Sequence, residues 1–202
     1  MESKEPKSNK WYELINGLVI LIMVVGLYVG ANYQYFGKQI GYWWRTEVTH
    51  VPLVPVEYRT PNTVYLPTLG IEAPLVYITD IGEPAFQAGL AQGVVHYPNT
   101  AAVGQPGNAF FFGHSSDFAT KPGHFKTVFA LLPHIKKDDE IVVTDEKGRV
   151  YKYKVFETVV VGPKDTQWLE QGDKSENLIT LQTSYPVGTA LKRFLARGRL
   201  ES

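Results

Sequence analysis

The sequence predicts an all-β domain behind one N-terminal membrane-spanning helix, and two observations carry that prediction. Residues 14–31 (LINGLVILIMVVGLYVGA) carry no charge. From Thr63 onward, short apolar or alternating runs are separated by Gly, Pro and Asp at the intervals of a β-barrel or sandwich. The chain has 202 residues, 44% of them hydrophobic and 13% aromatic, which suits one well-filled core plus appendages.

The uncharged run is long enough to cross a hydrocarbon core of roughly 30 Å. Trp11 and Tyr12 precede it and Tyr33, Tyr35 and Phe36 follow it, as interfacial aromatic belts require. A soluble core helix would carry a polar face, and this stretch has none. A cleaved signal peptide is the stronger rival, since Val29 and Ala31 offer small residues, but the run is long for that purpose and no clean A-x-A follows. Lys4, Lys7 and Lys10 lie before the run and only Lys38 and Arg45 closely after it. The positive-inside bias therefore puts a tail of residues 1–13 in the cytoplasm and the rest of a single-pass protein outside the cell membrane.

Residues 32–61 are rich first in aromatics and then in proline (HVPLVPVEYRTP), which predicts a stalk of extended backbone with no core of its own. Trp43 and Trp44 suit either lipid headgroups or the domain surface, and His50 reads as a solvated linker residue. The domain proper is residues 62–202. Its eight expected strands are 63–66, 73–78, 94–97, 108–114, 140–144, 150–161, 178–183 and 193–200. Glu83-Pro84 opens a short helix with proline in its first turn, and FKTVFALL from Phe125 has the apolar spacing of another.

Composition excludes some functions. Twenty basic and twenty acidic residues leave no electrostatic footprint for nucleic acid. The chain has no cysteine, so disulfides, thiolate zinc sites and a cysteine nucleophile are all ruled out.

Three segments could carry chemistry. PGNAFFFGHSSDF runs a strand into a polar turn and delivers His114 where a side chain reaches solvent from a fixed frame. NLITLQTSYPVGT is a strand ending at Ser184, with Thr180, Gln182 and Ser184 on one face and Ile179, Leu181 and Thr183 on the other. KRFLARGRL alternates Arg193, Arg197 and Arg199 onto one face. Such an arginine can clamp an oxygen as negative charge develops, or simply keep an edge strand soluble, and the pattern alone does not choose.

Together, GHS at 113–115, TLQTS at 180–184 and Arg193 resemble the sortase family, in which a strand ends in Gly-His, a later one in T-L-x-T-C, and an arginine follows on the last strand. The resemblance extends through VYLPTLGIEAPL, GVVHYPNT, VFALLPHIKKDDEIVV, YKYKV and VVGPKD, and spans about residues 63–200. It implies an eight-stranded closed β-barrel that cleaves an LPXTG-type sorting motif and passes the acyl group to an amine on peptidoglycan or a pilin. The implied partners are surface proteins or pilins bearing that motif, with no cofactor and no metal. By the same resemblance His114 is general acid and base, Arg193 steadies substrate and oxyanion, and residue 184 attacks. His96, Thr183 and Trp168 are the implied substrate-binding residues. His96 and Trp168 each have a plainer reading, as a buried hydrogen-bonded histidine and as a packing tryptophan.

The sequence departs from the family at the attacking residue, where serine stands for cysteine. A thiol is partly ionised at neutral pH, whereas a hydroxyl needs a base oriented by a third group. Asp117 and Asp165 are the nearest carboxylates for that task. Three explanations of Ser184 stay open: a substitution made to silence the enzyme, a slow natural serine variant, and a peptide-binding pseudoenzyme. Ser115, Ser116 and Asp117 beside His114 do not make a triad, because neighbours on a strand point to opposite faces. His114, Asp117 and His124 match no zinc spacing.

Overall fold

The computed structural model describes residues 10–49, 60–116, 123–172 and 175–201. Lys4, Lys7, Asp117 and residues 50–59 of the stalk, His50 among them, lie outside them.

Eight strands close into a barrel: β1 (Thr63–Leu66), β2 (Ile71–Tyr77), β3 (Val94–His96), β4 (Gly107–Phe112), β5 (Glu140–Thr144), β6 (Val150–Val161), β7 (Asn177–Tyr185) and β8 (Lys192–Leu200). Their order around the barrel is β1-β2-β3-β4-β7-β8-β6-β5, with β5 returning to β1. Two neighbouring pairs, β2 with β3 and β4 with β7, run parallel, and the rest run antiparallel. Strand β6 serves both β5 and β8, and a register shift between Val155 and Glu157 bends it from one partner to the other.

The barrel is filled from every strand. Val64, Leu66, Phe111, Ile141, Val143, Tyr153, Ile179 and Leu181 are wholly buried, so the alternation read from the sequence points one set of side chains into a common core. The turn between β2 and β3 holds helix α3 (Glu83–Leu90), with Pro84 in its first turn.

The segment from Phe125 is not the expected helix. It is a run of tight turns closed by bonds from Val128 N to Phe125 O, Ala130 N to Thr127 O and Leu132 N to Phe129 O, then a 3-10 turn at Leu132–His134. The cause lies in burial. Val128, Phe129, Ala130, Leu131 and Leu132 are all at most 5% exposed, so no polar face remains for a surface helix. Phe129 N–H donates instead to His114 O at 2.9 Å.

Upstream, helix α1 (Lys10–Ala31) contains no buried residue and is long and apolar enough to cross a membrane. Asn32 alone separates it from helix α2 (Tyr33–Trp43), which runs on into a wider π-type turn at Trp44–Thr49. The extended backbone expected from residue 32 is therefore absent over its first part. Tyr35, Gln39 and Tyr42 recur at helical spacing on the domain side, and the first proline comes only at Pro52. Gln39 Nε2 donates to Ala130 O at 3.0 Å, and the Tyr42 ring stacks on His134 with centroids 4.9 Å apart. Trp43 and Trp44 stay more than half exposed.

Candidate active site

The parallel pairing of β4 with β7 holds a constant offset of seventy residues, from Gly107 opposite Asn177 to Phe112 opposite Gln182. Gly113 continues it by donating its N–H to Gln182 O at 3.0 Å. The same offset sets His114 beside Ser184. On the other side, the antiparallel pairing of β7 with β8 puts Ser184 directly opposite Arg193. The end of β4, the end of β7 and the start of β8 thus bring histidine, serine and arginine to one end of the barrel, and all three residues line one cavity of about 380 Å³.

The backbone beneath this row is tightly fixed. Thr183, only 2% exposed, donates its hydroxyl to Gly113 O at 2.8 Å. It also lines the cavity, but its hydroxyl is committed to tying β7 to the end of β4. A methyl group on Gly113 would lie 2.8 Å from Phe129 Cδ2 and 2.9 Å from Val128 Cγ1, so only glycine fits over that floor.

The structure also separates the three arginines of β8. Arg197 pairs with Glu157 at 2.6 Å and lies over the Phe156 and Trp168 rings at 5.1 and 5.3 Å. Arg199 pairs with Glu176 at 3.0 Å and covers Phe156 from 4.9 Å. Arg193 alone of the three lines the cavity. Its Nη1 donates to Ala190 O at 3.1 Å and Lys192 O at 3.0 Å, and burial pushes the guanidinium down from its usual value. It remains a cation at neutral pH.

Trp168 sits on a 3-10 turn (Thr166–Leu169) and forms part of the cavity wall while packing under Arg197. Asp165 lines the cavity too, with its Oδ2 accepting Gly162 N–H at 2.7 Å. His124 lines a different cavity, beside Lys38 and Glu72. The opposite wall was not legible as such: Phe86 and Leu90 from α3, Tyr97, Phe110 and Phe112. Its one sequence signal is the four-residue spacing of Phe86 and Leu90, which puts both on one helix face.

His96 takes the plainer of its two readings. It is 8% exposed, stands outside the cavity wall, and packs between Tyr77 and Phe111 with both ring centroids 5.0 Å away. Its Nε2 lies 2.9 Å from Ala101 O and 3.0 Å from Thr100 Oγ1. The Thr100 hydroxyl donates to Tyr97 O, so its oxygen accepts and Nε2 carries the hydrogen. Burial lowers the His96 pKa, opposed by the bond to Ala101. As pH falls through about 6.5, the unfolded chain protonates His96 while the folded chain keeps it neutral, so folding weakens until pH passes below the folded value. Melting curves at pH 7.5 and 5.5 should show a smaller acid loss for His96→Gln than for the parent. Some loss should persist from His134, whose pKa is lowered by burial and by Lys136.

The family model described as Sortase domain matches residues 64–201, more than half of the chain. Sortase A from Corynebacterium diphtheriae, as a lid mutant, is 28% identical with a TM-score of 0.58, covering 73% of this chain and 74% of that one. Sortase E from Streptomyces avermitilis is 25% identical with a TM-score of 0.54, covering 73% of this chain and 91% of that one. Sortase C-1 from Actinomyces oris, 24% identical with a TM-score of 0.58 and 84% coverage of both chains, shares the fold. No curated protein matches the chain.

Proposed function

Since the chain belongs to the sortase family, we propose that its groove binds an LPXTG-type sorting motif and that His114, Ser184 and Arg193 are the residues of an acyl transfer to an amine. The observation that carries this reading is the convergence of the three residues, from three neighbouring strands, on one cavity.

In the first half-reaction Ser184 Oγ attacks the carbonyl carbon of the Thr-Gly bond and passes its proton to His114. The carbonyl oxygen becomes an oxyanion that the Arg193 guanidinium stabilises. His114 then protonates the departing glycine nitrogen, leaving an ester on Ser184. In the second, an amine of peptidoglycan or a pilin attacks the ester, His114 accepts its proton and returns one to Ser184 Oγ, and the new amide leaves. Helix α1 holds the barrel outside the cell membrane with residues 1–13 in the cytoplasm, so the partners are surface proteins or pilins bearing the motif. The four units of the chain are then tail, anchor, stalk and a domain from residue 62.

Ser184 favours a second reading, a barrel that binds sorting peptides without turning them over. It keeps the groove and drops the ester. Both readings are tested by titrating the chain with a library of sorting-motif peptides and an amine acceptor, with mass spectrometry following cleavage and any adduct. Peptide binding that weakens about tenfold or more on Arg193→Ala, as expected for loss of a hydrogen bond to a charged group, supports the groove. An adduct on Ser184 then selects the enzyme, and its absence selects the binder. Indifference of every peptide to both Arg193→Ala and His114→Ala overturns both.

A further inference from the structure

Between Ser184 and Arg193 the chain makes the β7–β8 loop, residues 186–191, and this loop meets the anchor. Tyr28, on the last turn of α1, donates its hydroxyl to Val187 O at 3.1 Å. The next residue, Gly188, has φ +74°, and a Cβ there would lie 3.2 Å from Asn32 Oδ1 at the joint between α1 and α2. Gly188 N–H donates to Ser116 Oγ at 3.0 Å, which ties the loop to the residue two places after His114. Helix α2 grips the other side of the site. Lys38 Nζ donates to Thr127 O at 2.7 Å, Gln39 donates to Ala130 O at 3.0 Å, and Gln39 Oε1 lies 2.6 Å from His134 Nε2. Between those points sits Phe129, whose N–H holds the His114 carbonyl.

The end of α1 therefore touches the strand-to-strand loop between Ser184 and Arg193, and α2 touches the segment whose Phe129 N–H holds the His114 carbonyl. A tether needs neither contact. We propose that the outer end of α1 together with α2 is a bracket on the groove, with Tyr28 as the positioning residue that holds the β7–β8 loop and Asn32 packed close against Gly188. The catalytic meaning of the bracket rests on the transpeptidase reading, but its existence does not. A barrel held this way keeps one orientation relative to α1, and the mouth of its groove stays beside the helix end.

The test uses the full chain in phospholipid nanodiscs and needs no turnover, so its failure is separate from failure of the functional reading. The chain has no cysteine, so any pair introduced is the only pair present. A disulfide needs Cα atoms within about 7 Å, whereas a short bifunctional reagent also bridges the extra reach of a tyrosine side chain. A short bifunctional thiol reagent is used on Y28C/V187C instead, with Y12C/V187C, about 24 Å further down α1, as the control. The first pair should crosslink at least about tenfold faster, because the two thiols share a high effective concentration. In parallel, amide hydrogen exchange at Gly188 and Thr189 is followed in the combined variant Tyr28→Phe, Asn32→Ala. It should run about two- to tenfold faster, while Phe111 and Leu181 in the barrel stay as protected as in the parent. Equal crosslinking of the two pairs makes α1 a free tether and overturns the proposal. Fast crosslinking with unchanged exchange means that α1 lies beside the loop without holding it, and overturns it as well.

Discussion

Ser184→Cys should raise the rate of peptide transfer by about a hundred- to ten-thousandfold, the size of the general-base contribution that a thiolate, already deprotonated, does not need. As the chain stands, a hydroxyl must lose its proton during attack. His114 has to take that proton as the new bond forms, because a hydroxyl has no ionised form to draw on at neutral pH. A thiol changes the problem. It ionises before the peptide bond is attacked, and an imidazolium at 114 and the Arg193 cation opposite both favour the thiolate. The sulfur should be accepted because Ser184 is only half-buried at the groove, away from the packed face of β7. Initial rates with one motif peptide and one amine, parent against variant, check this. Equal, non-zero rates would make Ser184 an activated nucleophile and direct attention to whatever orients His114. No transfer by either form on any motif would remove the transpeptidase reading and leave the fold standing.

The largest stability effect is expected at Phe129→Ala. The ring is wholly buried in the barrel core and forms the floor under Gly113. Removing it opens a cavity that a closed barrel cannot collapse, at about 3–5 kcal/mol. For a domain of this size that lowers Tm by on the order of 10 °C. The cost should not add to that of Gly113→Ala. Alone, the new methyl at 113 strikes Phe129 Cδ2 and Val128 Cγ1. With the ring gone, one of those two collisions disappears and part of the cavity is filled. The double variant should therefore melt above the value that the two single losses sum to, by about 1 kcal/mol or more in free energy. Additive losses would mean that Gly113 does not rest on Phe129.

Much of this was legible in the sequence, for reasons that differ by element. β1, β5 and β6 have the expected bounds because polar turns bracket short runs of apolar alternation, and the side chains alone decide those limits. The ends of β4 and β7 were less well marked. His114 lies just past the last paired residue, and Ser184 and Tyr185 are still paired, because the neighbouring strand rather than the local pattern sets where pairing stops. The helical spacing of FKTVFALL misled because every side of that segment is buried, a fact that belongs to the barrel around it. Residues 33–43 misled because composition says nothing of Gln39 and Tyr42 finding partners at Ala130 and His134. At the site, three arginines shared a face, and what singles out Arg193 is the supply of Glu157, Glu176 and two aromatic rings further along the strand.

One consequence of the strand order concerns time. β8 is the latest strand of the fold, yet it sits between β7 and β6 and completes the ring. Until it arrives, β7 and β6 each present a row of unpaired amides, and Ser184 has no Arg193 opposite it. The β4–β7 pairing that sets His114 beside Ser184 also spans seventy residues, a long loop to close. A nascent chain thus has no closed barrel until β8 has been made, and Ser184 gains Arg193 opposite it only with that closure.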